Sequence, residues 1–125
     1  GTYYSQTTKH QWKESVQLVY SHSSTPMILL DKGGFSNEQS LRYYAPSPPR
    51  LVKLSWSEEG RDFEKLGEEE LSAVLNDAPE FWLILSRNPR TQDYFLQLLD
   101  EQYTRDLSQE FYEVRVYHYT NENFK

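Results

Sequence analysis

The sequence predicts a small Rossmann-like three-layer α/β sandwich, with about four mainly parallel strands and helices on both faces. Helical and strand-like periods alternate along the whole chain, and each pair of successive strands is separated by a helical segment, as parallel strands require. Two short runs, Met27 to Leu30 and Phe81 to Leu85, are apolar without interruption. Runs of that length and character belong to strands covered on both faces. At 125 residues and 14.9 kDa, with 37% hydrophobic residues, the chain has the size and content of one domain with one core.

The elements follow in order. Trp12, Val16, Val19 and Tyr20 form one stripe of an amphipathic helix from about Lys9 to Ser21, with Lys13 and Gln17 facing outward. Ser23 to Pro26 breaks it, and Met27 to Leu30 is the first strand, left through Asp31-Lys32-Gly33-Gly34, where two glycines permit a tight exit. Asn37 to Tyr44 makes a short helix, stopped by Ala45-Pro46-Ser47-Pro48-Pro49. Val52, Leu54 and Trp56 alternate with Lys53 and Ser55, the period of a strand with one wetter side, placed towards an edge. Leu71, Val74 and Leu75 carry a third helix starting near Gly67, behind an acidic stretch. Phe81 to Leu85 is the most buried strand. Asn88-Pro89 opens a fourth helix through Phe95, Leu98, Leu99 and Tyr103, and Phe111 to Thr120, rich in aromatic and β-branched residues, is the last strand.

Composition removes several function classes. There is no cysteine, so disulfide scaffolds, thiol nucleophiles and thiolate zinc sites are excluded. A net charge of −6 and pI near 5.0 oppose a nucleic-acid partner. Through Trp56 the chain has six Lys or Arg against three acids, and from Ser57 onward seven against sixteen, so the halves carry +3 and −9. No run approaches the roughly 18 apolar residues of a membrane helix. The chain starts Gly1-Thr2-Tyr3-Tyr4, without an initiator Met or a signal pattern, and is expected to be excised from a longer protein.

The search for chemistry yields binding candidates and no catalytic set. Asp31 and Lys32 with the following glycines suit a phosphate loop or a plain glycine turn, and match neither the dinucleotide fingerprint nor the P-loop. His10, His22 and His118 lack metal-ligand spacing and read as solvated or packed. Ser86 follows a strand but has Leu85 and Arg87 beside it where a nucleophile elbow has glycines. The seven acids between Ser57 and Glu70 lack the ordered spacing of a calcium loop. Arg42, Tyr43 and Tyr44, expected near the carboxyl end of the first strand, either line a crevice for a sugar or lipid headgroup or pack half-buried. Arg87, at the end of the third strand, either falls beside the expected switch point of the sheet, where ligands of open α/β folds sit, or, the favoured reading, is a surface arginine near a helix N-terminus.

Lys9 to Val16 opening a helix, a strand leading to the Tyr43-Tyr44 pair, the Phe81 to Leu85 strand with its Trp82, and the terminal Val114 to Tyr119 together resemble a known family. They look like the soluble C-terminal domain of bacterial polytopic glycosyltransferases of the protein O-mannosyltransferase and aminoarabinose transferase type. The resemblance implies a non-catalytic extracytoplasmic, periplasmic domain, whose partners are the transmembrane part of the same chain and a glycan or lipid-linked sugar. It implies no cofactor, and it places transfer from a polyprenyl-phosphate donor to a lipid, glycan or protein acceptor on the membrane-embedded part. The competing expectation is a stand-alone interaction module that uses the acidic segment or the edge of the last strand. A nucleotide-binding domain, resting on Asp31 to Gly34, is the third.

Overall fold

The computed structural model describes residues 11–31, 35–54, 71–86 and 89–122. Three helices, α1 (Trp12–His22), α2 (Phe35–Tyr44) and α3 (Pro89–Gln102), and five strands, β1 (Met27–Asp31), β2 (Arg50–Leu54), β3 (Glu80–Ser86), β4 (Thr104–Phe111) and β5 (Val114–Thr120), are bounded within them, and residues 71–75 are also helical. The strands form one sheet in the order β2-β1-β3-β5-β4. β1 pairs in parallel with both β2 and β3, while β5 runs antiparallel to β3 and β4. The α/β three-layer prediction holds, with five strands in place of four and one of them reversed.

Alternation along the strands divides two apolar layers. Ile28 and Leu30 of β1, Trp82 and Ile84 of β3 and Val114 and Val116 of β5 pack with Trp12, Val16 and Val19 of α1 and Leu41 of α2. Met27, Leu29, Phe81, Leu83, Leu85, Tyr117 and Tyr119 face the other way, onto Leu71, Leu75, Phe95, Leu98 and Leu99. Residues on both sides of β1 and β3 are therefore buried, which is why these two segments are continuously apolar. The stripe of α1 is the one its spacing predicts, with Lys13 and Gln17 exposed. β2 is an edge strand, as its alternation indicates.

The C-terminal third departs from expectation. The last strand begins at Val114, because Tyr112 and Glu113 make a turn in which Glu113 takes a φ of 57°. It lies inside the sheet, and the edge belongs to β4, which the sequence concealed. β4 reads Thr-Arg-Asp-Leu-Ser-Gln-Glu-Phe and is exposed but for the half-buried Leu107 and Phe111. Leu107 and Phe111 alone mark its inner face, with the polar Gln109 between them, so the alternation is too sparse to announce a strand and the sequence passes for a loop. Trp56, the acidic segment 57–70 and the expected helix start near Gly67 lie outside the described residues.

Candidate functional site

The switch point of this sheet is the carboxyl end of β1 and β3, since the chain leaves neighbouring strands there towards opposite sides of the sheet. Asn37, in the first turn of α2, donates from Nδ2 to Ser86 Oγ at the end of β3 over 3.0 Å, and both residues are buried. Asp31 closes β1 opposite Leu54. Lys32, Gly33, Gly34 and Arg87 lie outside the described residues, so the described structure does not assemble the expected crevice from them.

Arg42, Tyr43 and Tyr44 are at the other end of the sheet. A ten-residue helix rises about 15 Å, so α2 starts beside Ser86 and carries its last turn back to the amino ends of the strands. The expected place near the carboxyl end of β1 is thereby corrected. Tyr43 is 80% exposed and Tyr44 40%, and their rings meet edge to face with centroids 4.9 Å apart. The pair stands out from the surface. Arg42 pairs with Glu38 at 2.9 Å, and Lys53 reaches the same carboxylate at 3.1 Å. Those hydrogen bonds, that of Arg42 foremost, lower the pKa of Glu38 below the usual carboxylate value.

Loop 45–49 joins α2 to β2 and is held from beneath. Tyr20 donates its hydroxyl to the Ser47 carbonyl over 2.6 Å, and Ser47 Oγ donates to the Ser24 carbonyl over 3.1 Å. Burial raises the pKa of Tyr20, against the opposing effects of the Ser47 bond and of Arg42. Beyond this loop an open cavity of about 420 Å³ is bounded by the segment from His22 to Met27, by Arg50 and by Asp77 to Glu80, with Trp82 at its base. Its far wall is secured where Asn121 Nδ2 donates to the carbonyls of Leu75 and Ala78 and its N–H to that of Pro79.

A polar chain crosses this end of the molecule. Trp82 Nε1 donates to Ser23 Oγ over 3.4 Å, and Ser23 donates to Glu80 Oε1 over 3.2 Å. The same oxygen is 3.0 Å from His118 Nε2, and His118 Nδ1 is 2.6 Å from Asp106 Oδ1. Asp106 reaches the ring because β4 breaks register between Arg105 and Leu107. That bulge adds a residue and re-aims its side chain. Both ring nitrogens of His118 face carboxylates, and among the described residues no group of three or more His, Asp or Glu is placed to hold a metal ion. The Ser23 hydroxyl donates to Glu80 and not to the imidazole of His118.

The sequence offered no spacing signal for this constellation. Ser23, Glu80, Asp106 and His118 come from four elements or their ends and converge only through strand order and the bulge. The cross-strand pair of Trp82 with His118 follows from antiparallel register, which a sequence read as all parallel does not supply.

No family model matches the chain, and no curated protein matches it. Among solved structures it is similar to a release factor-specific protein-(glutamine-N5) methyltransferase from Alicyclobacillus acidocaldarius, at 14% identity over 89% of each chain, with a TM-score of 0.36. Kinship with the polytopic membrane glycosyltransferases is corrected: neither a family model nor a curated protein stands behind that label. The methyltransferase likeness is too distant to bring an activity to this chain. No described helix is long and apolar enough to cross a membrane.

Proposed function

We propose that this chain is a non-catalytic binding domain whose ligand face is the amino end of its parallel strands, and that the ligand is a glycan or lipid-linked sugar. The observation that carries the reading is the open cavity bounded by Ser23, Arg50, Asp77 and Glu80, at the end of the sheet where α2 ends in the exposed Tyr43-Tyr44 pair. Carboxylates accept from sugar hydroxyls and a guanidinium donates to them, while aromatic faces suit sugar C–H surfaces. Among the described residues neither Arg50 nor Asp77 is tied up in an ion pair. In this reading the domain sits on the extracytoplasmic side and holds a sugar for a catalytic part carried elsewhere on a longer chain, which is its second partner.

Backbone NMR titration with neutral, acidic and amino sugars and with a short polyprenyl-phosphate sugar tests the ligand. Shifts at Ser23, Thr25, Arg50, Asp77 and Glu80, and at Tyr43 and Tyr44, are expected. Shifts at Asp31, Asn37 and Ser86 instead would move the site to the switch point, and no shift with any sugar would sink the binding reading. Reading the gene upstream of Gly1 tests the longer chain: successive apolar segments of about 20 residues are expected, and a soluble or absent upstream stretch removes that partner.

A further inference from the structure

The outer edge of β4 is open: among the described residues no strand pairs with it, and Ser108, Gln109 and Glu110 are exposed. Antiparallel strands bond through alternate residues. The two-residue turn closes on the Phe111–Val114 pair, so Leu107, Gln109 and Phe111 bond inward to His118, Val116 and Val114. The backbone N–H and C=O of Ser108 and Glu110 therefore point away from β5. In keeping with this, the Glu110 carbonyl accepts from the Gln109 side-chain amide over 3.2 Å.

Such an edge is a template for another strand, and proteins blunt it with charges and bulges. β4 does so in its first half, where Arg105 and Asp106 stand at the register shift. Residues 107–111 remain regular, and their pattern decides what fits them. Two copies related by a two-fold axis pair antiparallel, with outward-facing residues opposite one another. Within residues 107–111 three registers satisfy this. Ser108 opposite Ser108 brings Asp106 of each copy towards the partner's Glu110, and Glu110 opposite Glu110 sets two carboxylates against each other. Like charges directly opposite destabilise a sheet. Ser108 opposite Glu110 opposes no like charges, centres the axis on Gln109 and sets a hydroxyl donor across from a carboxylate. It also places Leu107 opposite the partner's Phe111 at the unbonded positions, where facing side chains are closest. Both residues are half-buried on the face that packs against the core, so each has apolar surface left for the other.

We propose that β4 pairs with the β4 of a second copy of this chain, Ser108 opposite Glu110, joining two five-stranded sheets into one continuous sheet. The pairing is short, so the dimer is weak and forms at high protein concentration. It stands apart from the sugar reading.

Sedimentation velocity and amide hydrogen exchange of the whole chain, between about 10 μM and about 1 mM, where so small an interface assembles, test the pairing. Mass is expected to rise towards that of two chains. The Ser108 and Glu110 amides are expected to slow in step, while those of Leu107, Gln109 and Phe111 are slow throughout. Ser108→Lys faces the partner's Glu110 with a cation, and Ser108→Glu faces it with a second carboxylate. The association constant is expected to rise in the first and fall in the second, by about 2- to 30-fold each. Neither substitution removes a bond to β5, so both variants are expected to fold. A monomer at every concentration overturns the proposal, as does dimerisation that leaves the Ser108 and Glu110 amides fast. Protection of those amides that ignores concentration would mean that the chain covers its own edge, and also overturns it. Weakening by both substitutions would point to Ser108 opposite Ser108 and refute the register.

Discussion

Replacing Tyr119 with Phe separates a hydrogen bond from a packing contact at one buried position. The ring of Tyr119 is fully buried and stacks on Phe81 with centroids 5.3 Å apart and planes 9° from parallel, and its hydroxyl donates to Asp100 Oδ1 over 2.8 Å. Phenylalanine keeps the stack and loses the bond. A hydrogen bond to a charged group contributes about 1.5–3 kcal/mol. Asp100 is partly exposed and retains Arg105 at 3.2 Å, so the loss falls below that range, at about 1 kcal/mol, or roughly 4 °C in Tm for a domain of this size. Tyr119→Ala also removes the stack and is expected to cost about 3–5 kcal/mol.

The same hydroxyl makes an alkaline signature. Burial, and then the Asp100 carboxylate, push the Tyr119 pKa far above its ordinary value, and burial also raises Tyr103 and Tyr20. A tyrosine whose folded pKa is raised contributes stability that is fully present below its unfolded value near pH 10 and is lost as pH climbs towards the folded value, because the unfolded chain ionises first. While Tyr119 stays protonated, each pH unit in that window removes about 1.4 kcal/mol. Urea unfolding followed by circular dichroism at neutral pH and at about pH 11 measures both effects. Tyr119→Phe is expected to be the less stable protein at neutral pH and to lose less on going to the higher pH. Equal stability at neutral pH together with an unchanged alkaline slope would refute the reasoning.

Three further outcomes are expected. Leu83→Ala, at a fully buried site between Leu29 and Tyr117, costs about 2–5 kcal/mol in urea unfolding, and a loss under about 1 kcal/mol would mean that the centre of the sheet is not the tightly packed one described. Glu38 has a depressed pKa, so its contribution is present above the unfolded carboxylate value and fades as pH falls through the folded one. Glu38→Gln should accordingly flatten the acid limb of the thermal-stability profile. Tyr43→Ala leaves Tm nearly unchanged, since that side chain is mostly in solvent, while weakening sugar retention on an affinity column. A large drop in Tm would show that the ring is a packing group.

Much of this fold is legible in the sequence because burial on two faces and burial on one leave different patterns. Met27 to Leu30 and Phe81 to Leu85 are apolar throughout since helices cover both sides of β1 and β3, and the Trp12, Val16, Val19 stripe appears because α1 is wetted on one side. From these the sequence alone determined the α/β layering, the central strands and the edge position of β2. It did not determine β4, whose inner face carries only Leu107 and Phe111 among polar residues, nor the reversal of β5, because pairing direction is set by where the chain turns. The turn at Tyr112 and Glu113 is two residues long and carries none of the usual glycine signal.

The candidate site was decided by tertiary structure alone. Arg42, Tyr43 and Tyr44 were visible as residue types, but the length of α2 put them at the amino end of the sheet, away from the switch point. His118 was visible as one histidine without neighbours. It acquired Asp106 through a β-bulge, Glu80 through the start of β3 and Trp82 through antiparallel register, and contacts fixed by register and strand order leave no periodicity in the chain that makes them. Periodic burial writes itself into a sequence, whereas the meeting of a few polar side chains from separate elements exists only once the sheet has formed.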